Sequence, residues 1–366
     1  MVAEFGFLGL EQLYHDDSQI VNLEVVWNQV LEAVRAYNEA VSGFISTFAQ
    51  PTTQGQFRYI IPNTLGYQPL DDKGEPLPAF SFGHYDAGLP LRGAGLAWGE
   101  NMITRAMLTP RKIAERTMQA LRADAEWIQK HMLAALFTNT EYNYSSNLTP
   151  EENPVTVRPL ATTASGLQWL MRDGVLATDQ HYNAQANPID NSNNPFPAIY
   201  EELAEHPSNG VAPTRPVIAY IPANLQQSVE GLASFVPLAR TFIAESVQTP
   251  TAMPEAANYG SFGEFIGVVG GANNSVIVRV WRALPDNYII AHASGAGPVL
   301  GWRQFPQPEL QGVIAMREGA EGSNYIKMSF RRYAGFGVVN PIAACVWRIG
   351  NASYAVPNNY QAPLVA

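Results

Sequence analysis

Six histidines, one cysteine and a few adjacent carboxylates are the residues whose types could support metal, nucleophilic or acid–base chemistry, and their spacing argues against each. His15, His84, His131, His181, His206 and His292 stand far apart in the chain. None is paired at the short intervals that place two imidazoles on one metal ion. Each reads as a surface or hydrogen-bonded residue, and neither a metal nor a cofactor is expected. Glu151-Glu152 and Glu201-Glu202 are immediate neighbours, so the members of each pair point in different directions rather than into one cleft. Ala293-Ser294-Gly295 lacks the Gly-x-Ser-x-Gly frame that strains a nucleophile out of a turn. Gly267-Val268-Val269-Gly270-Gly271 is followed by no Lys-Ser/Thr and reads as a plain turn rather than a phosphate loop. Cys345 is the single cysteine, which excludes an intramolecular disulfide; it lies in an apolar run and reads as a small core residue. No catalytic residue is expected, and the chain does not read as an enzyme.

The elements that would position these residues are mixed α and β. Ile326, Met328 and Phe330 alternate with Tyr325, Lys327 and Ser329, the period-two pattern of a strand with one buried face. The step Arg331-Arg332-Tyr333 follows, then Gly335 and Gly337, which read as breakers. The apolar run from Val338 to Ile349 is interrupted at Asn340-Pro341, which predicts a bulge or a sheet edge there. The clearest helix is expected from Pro110 to Asn139. Thr109 can cap it, Pro110 suits the first helical position, and Ile113, Met118, Leu121, Ala125, Ile128, Met132 and Leu136 form its stripe. An earlier amphipathic helix is expected from Asp17 to Tyr37, carried by Ile20, Leu23, Trp27, Val30, Leu31 and Val34. Between the two lies an extended stretch, Phe57 to Ile61, and a long Gly- and Pro-dense segment reaching Gly99. It has a polar turn at Asp71 to Pro76 and the aromatics Phe80, Phe82, Tyr85 and Trp98. Later strands are expected at Val217 to Ile221, Phe262 to Val269, Val276 to Trp281 and Asp286 to His292.

Composition narrows the function class. Only 15% of the 366 residues are charged while 46% are hydrophobic, with 16 Tyr, 16 Phe and 7 Trp. A solitary globule carries nearer a quarter charged residues, so much of the surface is expected to meet other copies, because interfaces favour aromatics and shed charge at their centres. The net charge is −10 and no basic stripe is visible, which argues against a tight nucleic-acid grip. The first basic residue is Arg35 and Glu4 stands near the start, so no secretory signal is expected. No apolar run reaches the length of a membrane span.

The basic-aromatic step at Arg331 to Tyr333, the Gly335-x-Gly337 turn, the short apolar strand and the closing Tyr354-x-x-Pro357 resemble the end of tailed-bacteriophage major capsid proteins, which share the Hong Kong ninety-seven type fold with encapsulins. The resemblance implies an α+β shell protein. It would consist of an N-terminal arm (1–53), an extended E-loop hairpin (54–104), a peripheral domain with a spine helix (105–215), an axial domain (216–303) and peripheral closing strands with a tail (304–366). It also implies self-assembly through hexamers and pentamers into an icosahedral shell that loosely encloses double-stranded DNA. Further implied partners are a scaffolding protein, a portal and decoration proteins. The protein would be made in the host cytoplasm and reside in the virion, without contact with a membrane. Arg58, Lys73, Arg92, Trp98, Arg331 and Arg332 are the assembly-interface candidates. Lys73, near the expected loop tip, is also the one candidate for an inter-subunit isopeptide cross-link, against the plainer reading of a solvating turn lysine. Two alternatives remain at this point: an encapsulin-like compartment around a protein cargo, and a soluble enzyme or binding protein of another fold.

Overall fold

A computed structural model of the protein describes residues 23–60, 70, 72–75, 84–101, 103–104, 107–146, 148–149, 154–212, 215–237, 263–270, 274–319 and 325–364. The expected helix start at Asp17 and Ile20, the aromatics Phe80 and Phe82, and the positions of His15, Phe262 and Gly271 lie outside these residues.

Helix α1 spans Leu23–Ile45. Its buried stripe, Trp27, Val30, Val34, Tyr37, Val41 and Ile45, continues at three-to-four spacing two turns beyond the expected end. Leu31, assigned to the stripe from sequence, lies on the exposed side. The helix docks on its own body and enters the main core. The chain continues through β1 (Ala49–Thr52), β2 (Gln56–Ile60), β3 (His84–Gly88) and β4 (Arg92–Asn101) to helix α2 (Pro110–Phe137). The Thr109 side chain accepts from the Lys112 N–H and Pro110 opens the first turn, as the sequence predicts. At 28 residues this helix is about 42 Å long. It buries Ile113, Leu121, Ala125, Ile128, Met132 and Leu136, whereas Met118 is exposed.

Short strands β5 (Tyr142–Tyr144), β6 (Val155–Val157), β7 (Trp169–Leu170), β8 (Leu176–Ala177) and β9 (Tyr182–Gln185) lead to helix α3 (Phe196–Ala204) and β10 (Val217–Ile221). Helix α4 (Gln226–Glu230), β11 (Phe235–Pro237), β12 (Glu264–Val269), β13 (Val276–Val280) and β14 (Tyr288–Ala293) follow. The chain ends with β15 (Leu300–Gln304), β16 (Val313–Glu318), β17 (Tyr325–Val338) and β18 (Ala344–Ile349).

Two large sheets take most of these strands, while β2–β3, β5–β6 and β7–β8 form separate two-stranded pairs. The first is built on β17, whose one edge pairs with β4 from Tyr325 to Ala334. Its other edge takes β16 and then β15, and β1 adds to β15 in parallel. The second runs β11-β12-β13-β10-β14-β18-β9. Strands β14 and β18 form its dividing wall. Tyr288, Ile290, Ala344 and Val346 face the core shared with α1, α2 and the first sheet, while Ile289, Ala291, Ala293, Cys345 and Ile349 face the core under α3 and α4. Both faces being buried explains why these strands read as continuous apolar runs.

Three expectations need revision. Gly335 and Gly337 do not break β17; they lie within it, where a Cβ on Gly335 would come within 2.0 Å of the Pro90 carbonyl oxygen and one on Gly337 within 2.6 Å of the Gly88 oxygen. Their role is to let another stretch of backbone cross closely. Asn340-Pro341 marks neither a bulge nor an edge, but the turn at which the chain leaves the first sheet for an interior position in the second. Within the expected loop 54–104, β2 and β3 form a hairpin, yet β4 is a full partner of β17 in the body.

Candidate assembly surface

Because directly paired residues of a sheet share a face, the register of β4, β17 and β16 fixes what the first sheet presents on each side. Inward, Ile326, Met328, Phe330, Arg332 and Ala334 are buried, and Trp98 meets Phe330 edge-on at 5.8 Å. Outward, three rows cross the sheet: Gly95, Arg331 and Ile314; Ala97, Ser329 and Met316; Gly99, Lys327 and Glu318. The β4 members are nearly bare of side chain, so the sheet carries a shallow groove of about 340 Å³ lined by Gly93 to Ala97 and by Lys327, Ser329, Phe330, Arg331 and Tyr333. Tyr325 lies across Gly99. Met316 and Tyr325 are exposed beside it. Glu318 holds both neighbouring cations, Lys327 at 3.4 Å and Arg331 at 3.1 Å; the second pair passes over the middle row, where Ser329 is buried and Met316 stays exposed. Exposed pairs of this kind stabilise the subunit weakly.

Of the candidates read from sequence, Arg92, Trp98, Arg331 and Arg332 gather on this sheet, and Arg58 and Lys73 lie elsewhere. Arg58 forms a two-pronged pair with Asp86 across the β2–β3 hairpin, at 2.8 and 3.0 Å. That bond is the main reason the Asp86 carboxyl sits below its ordinary range. Lys73 is in the exposed turn Asp72 to Glu75, whose Gly74 adopts φ +77°. Arg92 bonds the Leu364 carbonyl and lies over the Tyr144 ring at 4.9 Å, tying the C-terminal stretch to β4. Trp98 is turned inward and half-buried. Arg332 departs furthest from the expectation of a neighbour-facing arginine. It is 2% exposed and pairs with Asp124 of α2 at 2.6 Å, inside the subunit. Alternation along β17 was enough to foresee that inward direction.

Sequence reasoning missed β16 and with it Met316 and Glu318, although Val313 to Arg317 is a short, mostly apolar run of strand type. It also missed a cluster at Asp179, His181, Glu205 and His206, in which both histidines are buried and both carboxylates half-buried. No spacing rule reaches that cluster, because the fold alone brings its two histidines together.

No protein-family profile matches the sequence, and no curated protein matches it. Among solved structures, a chain of Mycobacterium phage Patience superposes with a TM-score of 0.68 at 20% identity, covering 100% of this chain and 99% of that one. A chain of the mature capsid of bacteriophage PhiM1 superposes with a TM-score of 0.53 at 11% identity, covering 85% and 87%. The fold is that of the phage major capsid proteins. In this Hong Kong ninety-seven type architecture the long helix α2, the β17-centred sheet and one face of the seven-stranded sheet share a hydrophobic core. The match to the first neighbour extends over its whole length.

Proposed function

We propose that this protein is a structural subunit that self-assembles through hexamers and pentamers into an icosahedral shell enclosing a phage genome. The observation that carries the reading is the end-to-end structural match to a phage chain, 100% of this chain on 99% of the other. A neighbour within a mature capsid supports it. Both are phage structures, which favours a genome-enclosing shell over an encapsulin-like compartment or a soluble enzyme. The surface agrees: Met316 and Tyr325 are exposed, one on each side of the Lys327–Glu318 row, beside the Gly-rich groove, in a chain with few charged residues.

In this reading the outer face of β4, β17 and β16, with Arg331 at its border, meets a neighbouring subunit, as does the β2–β3 hairpin bearing Arg58. Arg92, Trp98 and Arg332 act one step back, holding β4 and β17 in the shape that the neighbour receives. Lys73 is a solvating turn residue. A scaffolding protein, a portal, decoration proteins and loosely held double-stranded DNA are the further partners, with synthesis in the host cytoplasm and residence in the virion. The acidic balance suits DNA that must slide while it is packed. No helix among the described residues is long and apolar enough to cross a membrane.

Negative-stain electron microscopy beside light scattering tests the proposal. Closed shells, or free pentamers and hexamers, are expected. A monomer or dimer that stays so with crowding agents and a co-expressed scaffold would sink it.

A further inference from the structure

The loop before β9 and the end of α3 bring together four side chains that the shell function does not use. His181 and His206 are 0% and 1% exposed. Their Nε2 atoms lie 3.1 Å apart, and each faces the same carboxylate oxygen, Asp179 Oδ2, at 2.6 Å and 2.8 Å. Glu205 completes the group; one ligand atom from each of the four lies within 4.8 Å of every other. The remaining bonds fix the orientation. Asp179 Oδ1 accepts from the Gln180 N–H at 2.7 Å, which turns Oδ2 toward the histidines. His181 Nδ1 is 2.7 Å from the Ala344 carbonyl oxygen, so Nδ1 carries the hydrogen. A neutral His181 therefore aims the Nε2 lone pair at a carboxylate oxygen 2.6 Å away. Something positive must lie between them, either a proton on that nitrogen or a cation.

We propose that Asp179, His181, Glu205 and His206 form a closed site for a divalent transition cation of the zinc class. Two imidazole nitrogens and carboxylate oxygens are a donor set that suits zinc. A ligating histidine commonly gives its other ring N–H to a backbone carbonyl, as His181 does to Ala344. Tetrahedral bonds of roughly 2.0–2.2 Å set donor separations of roughly 3.3–3.5 Å. To seat the ion the triangle must widen, by about 0.2–0.4 Å between the two histidines and by about 0.5–0.9 Å on the two edges to Asp179. Four protein donors leave no position for a reacting water, so the site is a brace. It would clamp the 179–181 segment and the edge strand β9 to the end of α3, against the first residue of β18. The inference concerns the single subunit and does not rest on whether it assembles.

The test uses the full chain as free subunits. It is incubated with zinc chloride and desalted, its metal is counted by mass spectrometry, and it is melted with and without EDTA. A stoichiometric zinc is expected, with melting raised by zinc and lowered by EDTA, and with tetrahedral absorption bands when cobalt(II) replaces it. His206→Gln and Asp179→Asn should each lose affinity by about tenfold or more. His131→Gln, which lies outside the cluster, should keep it. Wild-type protein that holds only a trace of zinc and melts identically in EDTA would mean that a proton closes the cluster, and would overturn the proposal. So would an equal loss of zinc in His131→Gln. The wild-type count and the cobalt spectrum decide the matter even if a variant does not fold.

Discussion

Arg332 brings its charge into the core because three elements meet there. Its Nε donates to Asp124 Oδ1 at 2.6 Å, and the hydroxyl of Tyr37 on α1 donates to the other oxygen, Oδ2, at 2.8 Å. Strand β17, helix α2 and helix α1 are thereby fixed in one register. A buried pair gains little over apolar side chains of similar volume, but removing one partner strands the other charge. Arg332→Met or Asp124→Leu alone should destabilise the subunit by about 3–5 kcal/mol, and the double variant should recover most of that loss. Urea unfolding of the two singles and the double measures it; additive losses would mean that the pair is not coupled. A second residue contributes to the acid limit. His292 stacks on Tyr220 at 5.8 Å and packs against Phe48 at 5.1 Å. Its Nε2 has no partner among the described residues. Burial lowers its pKa to about 4. Below the ordinary value of about 6.5 the unfolded chain takes up a proton that the native state refuses, so stability present above that pH falls as the pH drops toward about 4. The loss amounts to about 3 kcal/mol at the lower end. Replacing it by phenylalanine should make the unfolding midpoint fall less steeply between about pH 6.5 and pH 4.5, leaving the share that His131, also lowered to about 4 by burial, contributes. A midpoint that falls as steeply in His292→Phe as in the wild type would place the acid sensitivity elsewhere.

Elements differ in how much of themselves they display in sequence. Helix α2 was legible because its signals are local: a capping Thr109, a Pro110 that needs no donor, and a stripe repeating every turn. The inner face of β17 was legible for the same reason. Leu31 and Met118 fit the stripes equally well yet lie outside, since periodicity defines a face but not how far the neighbouring element covers it. Glycines mislead more seriously. Gly335 has the same composition signal as a breaker, but its cause is the Pro90 backbone crossing the strand, which depends on tertiary placement. The His181–His206 cluster is illegible for a similar reason: α3 must first fold back over the sheet. Two glycine substitutions separate these meanings. Gly335→Ala forces a Cβ against the Pro90 carbonyl and should cost about 1–3 kcal/mol or more. Gly43→Ala, in the last turns of α1 with nothing within 4 Å of the added methyl, should instead stabilise by about 0.5–1 kcal/mol. Denaturant midpoints of both should move in opposite directions. A harmless Gly335→Ala would mean that the crossing is looser than this geometry.

For the whole molecule the question is which surface becomes an interface, and the rows of the first sheet give a testable answer. In the proposed shell each contact would be modest, on the order of a thousand Å², but every copy would repeat it, so a small penalty at one position would recur throughout the particle. Met316 stands in the middle row, opposite Ser329 and in line with Ala97, and is 40% exposed. A lysine there keeps the chain length while placing a charge where the exposed Met316 side chain stands between Glu318 and Ile314. In the isolated subunit the new ammonium reaches water along the exposed face, so Met316→Lys should change unfolding stability by no more than about 0.5 kcal/mol. In a shell the same charge would be taken out of water against a neighbouring copy, at a cost of several kcal/mol unless it is paired. Light scattering and electron microscopy under conditions that assemble the wild type should therefore find folded Met316→Lys subunits that remain unassembled. Shells of normal yield and size from this variant would move the contact surface away from the β4–β17–β16 face, leaving the β2–β3 hairpin as the place to look.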